Sequence, residues 1–466
     1  MTRFLEFVQS PYFNKRTDII HLIQYLHKIH PNFTQKKCDQ KKISQQIYPN
    51  KTYIQSRLAL IFTYTFRLAK KFLSIEIYNT QSQGQALNLL QAIHQKGQIS
   101  LYQKQFKQAQ DTLEALPYRN SSFYQKKYEF SKIAELDNQF SAWQDLTGEK
   151  LIKVRSLDYF YVGEKLKTAC ELKVRSEILQ SPFNSSLLTS VIATIENNWA
   201  NYQAIPSIIV YYHLYNMLIE EDAAYFYKAL PIIQQNNLFF PRTELQEIYT
   251  YIQNYCIQQI NKNKGEFMQE LLNIYKIQLD RRLLHDEQVQ LSEWHYKNIV
   301  TLGLRLEAVD WVNGFIENYR NDLQTESREN AYRFNRAAFD YHTGAYESVL
   351  ELLSNVEYSN IQYSLGARWL LLRTYYELEE QGAFFSLCDS FRIYLQRNQL
   401  ISDFKKDGND QAIRFVRKLF QLKLSARYQK KEKTNREWHK LKQELQETEA
   451  IFNRKWLEKK LSELQK

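Results

Sequence analysis

AYRFNRAAFDYHTGAYESVL, residues 331–350, and WLLLRTYYELEEQGAFFSLC, residues 369–388, decide the fold. Gly344-Ala345-Tyr346 in the first and Gly382-Ala383-Phe384 in the second stand 38 residues apart. Ahead of each, apolar side chains recur at three- and four-residue steps: Phe334, Ala338 and Tyr341, then Trp369, Leu372 and Tyr376. That spacing puts each set on one face of an α-helix. Glycine takes the left-handed conformation that ends a helix, and the aromatic two residues later opens a second helix folded back on the first. The two stretches therefore predict successive antiparallel helix pairs.

The pattern continues outward. From about residue 82, helical stretches of roughly 12 to 20 residues alternate with short polar breaks, and no run of strict alternation predicts a strand. Between Leu157 and Leu179, Tyr159, Val162, Leu166, Ala169 and Cys170 form one stripe, and comparable stripes lie in Phe267–Gln278, Trp294–Leu306 and Ala308–Tyr319. None can bury its face alone, whereas stacking on neighbours buries all of them. The chain has 466 residues, too many for one ordinary core, and 44% of them are hydrophobic. Eleven Gly and eight Pro amount to about 4% of residues against roughly 12% in average usage. Such scarcity disfavours hairpins and flexible linkers, and 33 Tyr supply large side chains to wedge between helices.

The helix pairs at 331–398 resemble the tetratricopeptide (TPR) motif, whose turn also carries Gly followed by an aromatic. Val349 and Leu387 stand where that family has Ala. The resemblance implies an all-α, TPR-like α-solenoid of roughly twenty helices with one helix of each pair lining a concave partner-binding face. Ser10-Pro-Tyr-Phe-Asn14, Leu157-Asp-Tyr-Phe-Tyr161 with Glu164-Lys-Leu166, and Trp456-Leu457 are similar to a group of uncharacterised bacterial helical-repeat proteins. That second likeness carries no activity.

The ends read differently. Residues 1–78 predict four helices: Arg3–Gln9, one capped by Thr17 or Asp18 and ending before Pro31, one at Asp39–Ile47, and one from about Lys51 to Ile75. The last carries Leu58, Ile61, Phe62, Phe66, Ala69 and Leu73 as a core face. After Asp407-Gly408-Asn409 two helices are expected, the first lined by Ile413, Val416, Phe420 and Leu424, the second by Trp438, Leu441, Leu445, Phe452 and Trp456. The division is thus a basic N-terminal bundle at 1–78, a repeat stack at 79–404 and a basic C-terminal pair at 405–466. Residues 1–78 hold 13 Lys/Arg against 4 Asp/Glu and residues 405–466 hold 18 against 9, so two ends of +9 flank a middle of −7.

Motifs for chemistry are missing. Neither G-x-G-x-x-G, G-x-x-x-x-G-K nor G-x-S-x-G occurs. His21, His27 and His30 sit near one helix end, where a histidine also complements the helix dipole. Cys38, Cys170, Cys256 and Cys388 are far apart, which reads as free thiols in a reducing compartment. Glu220-Glu221-Asp222 opens a following helix. No signal peptide is read in the opening residues, and the most apolar stretch, Ile205–Ile219, is too short to span a bilayer. A cytoplasmic, non-enzymatic protein without cofactor or metal is the expectation.

Two partner classes follow. A protein or peptide partner is expected in the groove of residues 290–400, with Phe334, Asn335, Tyr341, Trp369 and Arg373 as contact residues. Asn335 and Arg373 sit one repeat apart, where carboxylate-gripping TPR domains place Asn and a basic residue; Val300 and Leu304 interrupt that pattern, and solvated groove positions are the plainer reading. The alternative is nucleic acid, held by Lys36, Lys37, Lys41, Lys42, Lys51, Arg57, Arg67, Lys70 and Lys71, whose helices flank Pro49-Asn50 like a helix-turn-helix derivative, and by the basic C-terminal helices.

Overall fold

The amphipathic stripes fold as helices. The computed structural model describes residues 1–49, 52–137, 149–180, 186–220, 222–354, 360–449 and 451–465. Among these no strand forms; isolated bridges join Leu291 to His285 and to Leu323. No described helix is long and apolar enough to cross a membrane. The chain divides into two compact units, residues 1–241 and 242–466.

The first unit opens with α1 (Thr2–Gln9), α2 (Thr17–Ile29), α3 (Gln40–Ile47) and α4 (Gln55–Thr80). Phe7, Val8, Ile19, Leu22, Ile23, Ile43, Ile47, Leu58 and Ile61 form their shared core. Asp39 caps α3, accepting from the Lys42 amide at 3.0 Å. Asp18 stands inside the first turn of α2 instead of capping it, where it binds Arg16 and the Tyr48 hydroxyl, both at 2.7 Å. Those two donors, Arg16 first, hold its carboxyl below the usual carboxylate range. Asn50 and Lys51 of the expected turn lie outside the described residues, and α4 begins four residues later than Lys51.

Next come α5 (Ser82–Gln95), α6 (Ile99–Glu114), α7 (Ser121–Asp137) and α8 (Glu149–Leu179). The unit finishes with α9 (Leu188–Asn197), α10 (Trp199–Tyr202), α11 (Pro206–Ile219) and α12 (Ala223–Asn236). Helix α7 packs on α8, α8 on α11 and α11 on α12. Pro206 starts α11, where its missing N–H costs nothing. Asp222 caps α12 through the Ala224 amide at 2.8 Å; its neighbour Glu221 is outside the described residues.

The second unit contains α13 (Arg242–Asn261), α14 (Phe267–Asp280), α15 (Glu293–Arg305), α16 (Val309–Asn318), α17 (Arg328–Thr343) and α18 (Tyr346–Leu353). It continues through α19 (Ile361–Leu378), α20 (Gln381–Arg397), α21 (Asp403–Ser425), α22 (Lys431–Glu447) and α23 (Arg454–Glu463). Consecutive helices pack as pairs, and alternate helices touch as well, α15 with α17 and α17 with α19. Gly344 closes α17 in the left-handed conformation, φ +84°, as its sequence position predicts.

Gly382 does not do the same. Helix α19 ends earlier, and Glu379 takes the left-handed position at φ 59°, its carboxylate held by Lys423 at 3.1 Å and Arg427 at 2.7 Å. Gly382 lies inside α20 with nothing near its missing Cβ. The C-terminal region also departs from expectation, with three helices where two are predicted. Gly408 sits inside α21, where a Cβ would come within 2.5 Å of the Phe452 ring. Phe452 belongs to the turn between α22 and α23, and its amide bonds to the Gly408 carbonyl at 3.2 Å. Glycine there serves close approach, and the predicted continuous second helix breaks to bring Phe452 over it.

Candidate partner-binding site

Ser292 caps α15 by accepting from the Trp294 amide at 3.2 Å, which sets Glu293, Trp294 and Lys297 on its first turns. Lys297 extends among rings from three helices. Its Nζ lies 4.9 Å from the Tyr363 ring centroid on α19, 5.1 Å from Phe334 on α17 and 6.0 Å from Trp294 on its own helix. Phe334 meets Tyr363 edge-on at 5.0 Å, and the Tyr363 hydroxyl donates to the Glu293 carbonyl at 2.9 Å. Gly366 lets the two helices close in, because any Cβ there would stand 2.9 Å from the Phe334 ring.

The electrostatics of this surround are unbalanced. Among the described residues Lys297 makes no hydrogen bond or ion pair; burial lowers its pKa, with the charge of Glu293 opposing. Glu293 itself is pushed up by burial, which its hydrogen bond from Ser327 and the charge of Lys297 only partly offset. A half-buried ammonium held mainly by ring faces gains cation–π attraction of about 0.5–2 kcal/mol. An incoming carboxylate would add a charge-assisted hydrogen bond that nothing in the site now supplies.

The residues expected at the groove separate into different roles. Phe334 belongs to the Lys297 surround. Asn335, 1% exposed, donates to the Ala331 carbonyl at 2.8 Å, and its Oδ1 has no partner among the described residues. Trp369 is buried against Phe391, and its indole N–H donates to Asn409 Oδ1 at 2.6 Å. Tyr341 and Arg373 do meet, at the last helix: the Trp456 indole donates to the Tyr341 hydroxyl at 2.9 Å while the Arg373 guanidinium lies 5.3 Å over the Trp456 ring and bonds Asn453 Oδ1. Neither Asn335 nor Arg373 is a solvated groove position. Chain folding after Phe452 brings Asn453 and α23 onto Tyr341 and Arg373, which spacing within 331–398 could not reveal.

Lys297, Trp294 and Tyr363 escaped the sequence reading. One signal existed: a 38-residue step back from Asn335 falls on Lys297. In the C-terminal helices, by contrast, several cations are already matched. The cleft of about 540 Å³ between α21 and α22 contains Lys418, bridged to Glu444 at 2.5 Å, and Arg414 and Arg417 beside it pair with Asp410 at 2.8 Å and Asp389 at 2.6 Å. Cys170, Cys256 and Cys388 are buried and their thiols are raised by desolvation, Cys256 and Cys388 to about 12, so none is a ready nucleophile. His27 bonds Thr2 at 3.1 Å, His30 packs on Phe33, and among the described residues no three His, Cys, Asp or Glu side chains converge to hold a metal ion. The chain has no significant match to any family model, curated protein or solved structure.

Proposed function

We propose that this protein is a non-catalytic interaction scaffold whose TPR-like stack binds an acidic protein segment across α15, α17 and α19. The carrying observation is Lys297: a cation drawn out of water, ringed by Trp294, Phe334 and Tyr363, with no hydrogen-bonded acid. Contact between alternate helices supports a solenoid with a continuous face on that side. Aromatic rings with few rotatable bonds lose little entropy on binding and make good anchors.

The test uses the intact chain and short peptides carrying a free carboxylate terminus, an aspartate or glutamate, or an amidated neutral end. Trp294 fluorescence and calorimetry report binding. Acidic peptides bind and neutral ones do not, and Lys297→Met removes the difference. Equal binding of acidic and neutral peptides, or undiminished binding by Lys297→Met, would sink the assignment. The nucleic-acid alternative is checked by gel shift at low salt, where phosphate contacts are strongest. A complex there that Lys297→Met leaves intact, with no peptide binding, would replace the scaffold reading.

A further inference from the structure

The surround of Lys297 continues into a groove that the chain itself covers at one end. Phe334 and Tyr341 stand seven residues apart on α17, and Gly366 and Arg373 stand seven apart on α19. Seven residues bring a helix back to within about 20° of the same direction and carry it about 10 Å along its axis. Both pairs therefore mark one shared face. Its near end holds Lys297, whose Nζ would lie 3.8 Å from a Cβ on Gly366. Its far end lies under α23.

Asn453, which precedes α23, accepts through Oδ1 from Arg373; the Trp456 indole donates to the Tyr341 hydroxyl at 2.9 Å, and Lys460 reaches Glu377 at 2.7 Å. The Trp456 ring lies 5.3 Å from the Arg373 guanidinium and 5.3 Å from the Tyr376 ring. This cover answers the charge of Arg373 poorly. Among the described residues Arg373 has no ion pair, its Nε has no partner, and burial works against its charge. Glu377 attracts it but bonds Lys460 and the Tyr341 hydroxyl instead. A buried cation without a bonded acid is costly. The cover is also slight: α23 has ten residues, and its buried anchors are Leu457 and Leu461. A helix of that length is marginal by itself, and elements with few buried contacts open first.

We infer that the first turn of α23 is a strap across the acidic-segment groove, lifted by a partner segment long enough to run from Lys297 to Tyr341. The inference rests on the acidic-segment reading of Lys297 and adds the regulation of that site. A short acidic ligand fills the open end and leaves α23 in place. A longer one exchanges Asn453 and Trp456 for a carboxylate on Arg373, a charge-assisted bond that the strap does not supply. Lys460, one turn further along α23, stays on Glu377 and keeps that acid from repelling the segment. The strap thus selects for length, because every ligand that reaches Arg373 must first open α23, and that opening subtracts from its affinity.

The experiment uses the intact chain and two synthetic peptides with alternating glutamates, three and ten residues long, which extend to about 10 and 33 Å. Hydrogen exchange read by mass spectrometry follows the amides of Trp456 and Leu457, which bond the Asn453 carbonyl. At saturation the long peptide speeds their exchange at least 5-fold, and the tripeptide leaves it unchanged. In calorimetry, Asn453→Ala with Trp456→Ala tightens the long peptide at least 5-fold and the tripeptide less than 2-fold. Circular dichroism melting checks that this pair keeps the fold, and the exchange measurement on the unaltered chain decides without it. A long peptide that binds in a Lys297-dependent way while exchange at 456 and 457 stays constant overturns the strap and leaves the Lys297 reading standing. Equal tightening of both peptides by the alanine pair overturns the strap as well. Failure of both peptides to bind the unaltered chain sinks the Lys297 reading, and the strap falls with it.

Discussion

Replacing Gly303 with alanine tests the helix pairing on which the Lys297 site depends. Gly303 lies in α15, and in an exposed helix interior Gly→Ala stabilises by about 1 kcal/mol. Here the new Cβ would stand 2.4 Å from Val312 Cγ2 on α16, and Val312 is completely buried. Comfortable carbon contacts lie at about 3.5–4.0 Å, so the helices must part by about 1 Å or more. Overpacking of that kind costs about 1–3 kcal/mol, and a buried β-branched neighbour has little freedom to yield. Set against the propensity gain, the net is a destabilisation of up to about 2 kcal/mol. Gly314 in α16 supplies the control, since its added Cβ meets only the Asn318 amide nitrogen at 4.0 Å. Gly314→Ala should therefore stabilise by about 0.5–1 kcal/mol. Urea unfolding followed by tryptophan fluorescence reads both, because five of the seven tryptophans lie in residues 242–466. With a slope of about 2–3 kcal/mol/M, the midpoint falls by up to about 1 M for Gly303→Ala and rises by about 0.2–0.5 M for Gly314→Ala. Adding Val312→Ala to Gly303→Ala recovers at least about 1 kcal/mol of coupling. A rise for Gly303→Ala equal to the control would refute the close packing of α15 on α16.

Other outcomes follow from the same geometry. Lys297 is depressed in the folded chain, so between its folded pKa and the unfolded value near 10.5 the unfolded chain binds more protons and stability rises with pH. Subtracting the Lys297→Met profile isolates that rise, and identical profiles would show that Lys297 is not desolvated. Binding an acidic peptide should draw a proton onto Lys297 near its folded pKa, seen as a calorimetric enthalpy that changes with the buffer's ionisation heat. Trp369→Phe leaves Asn409 Oδ1 without its 2.6 Å donor and should cost about 1–3 kcal/mol in urea unfolding; a loss under about 0.5 kcal/mol would mean that the bond contributes little. Native labelling with a thiol reagent should modify Cys38 alone, because Cys170, Cys256 and Cys388 are buried; fast reaction of a second thiol, read by mass spectrometry, would contradict that burial.

What the sequence determined by itself is local: helices and the faces they hide. Val162, Leu166, Ala169 and Cys170 fall on the buried side of α8, and Phe267, Tyr296 and Phe315 on the buried sides of α14 to α16, because apolar spacing near 3.6 has few other uses. Gly344 was legible as a helix end because its glycine stands free of packing and an aromatic follows. What only the tertiary structure decided is which neighbour meets each face. Gly382 and Glu379 exchanged roles because Lys423 and Arg427, far along the chain, hold the glutamate. Arg373 became a partner of Trp456 because α23 folds back onto α19, and Phe66 and Leu73 stayed exposed because no described helix covers them. Lys297 acquired its rings from Phe334 and Tyr363 on two other helices. Periodicity is a property of a dozen neighbouring residues, whereas burial and pKa depend on side chains tens of positions away.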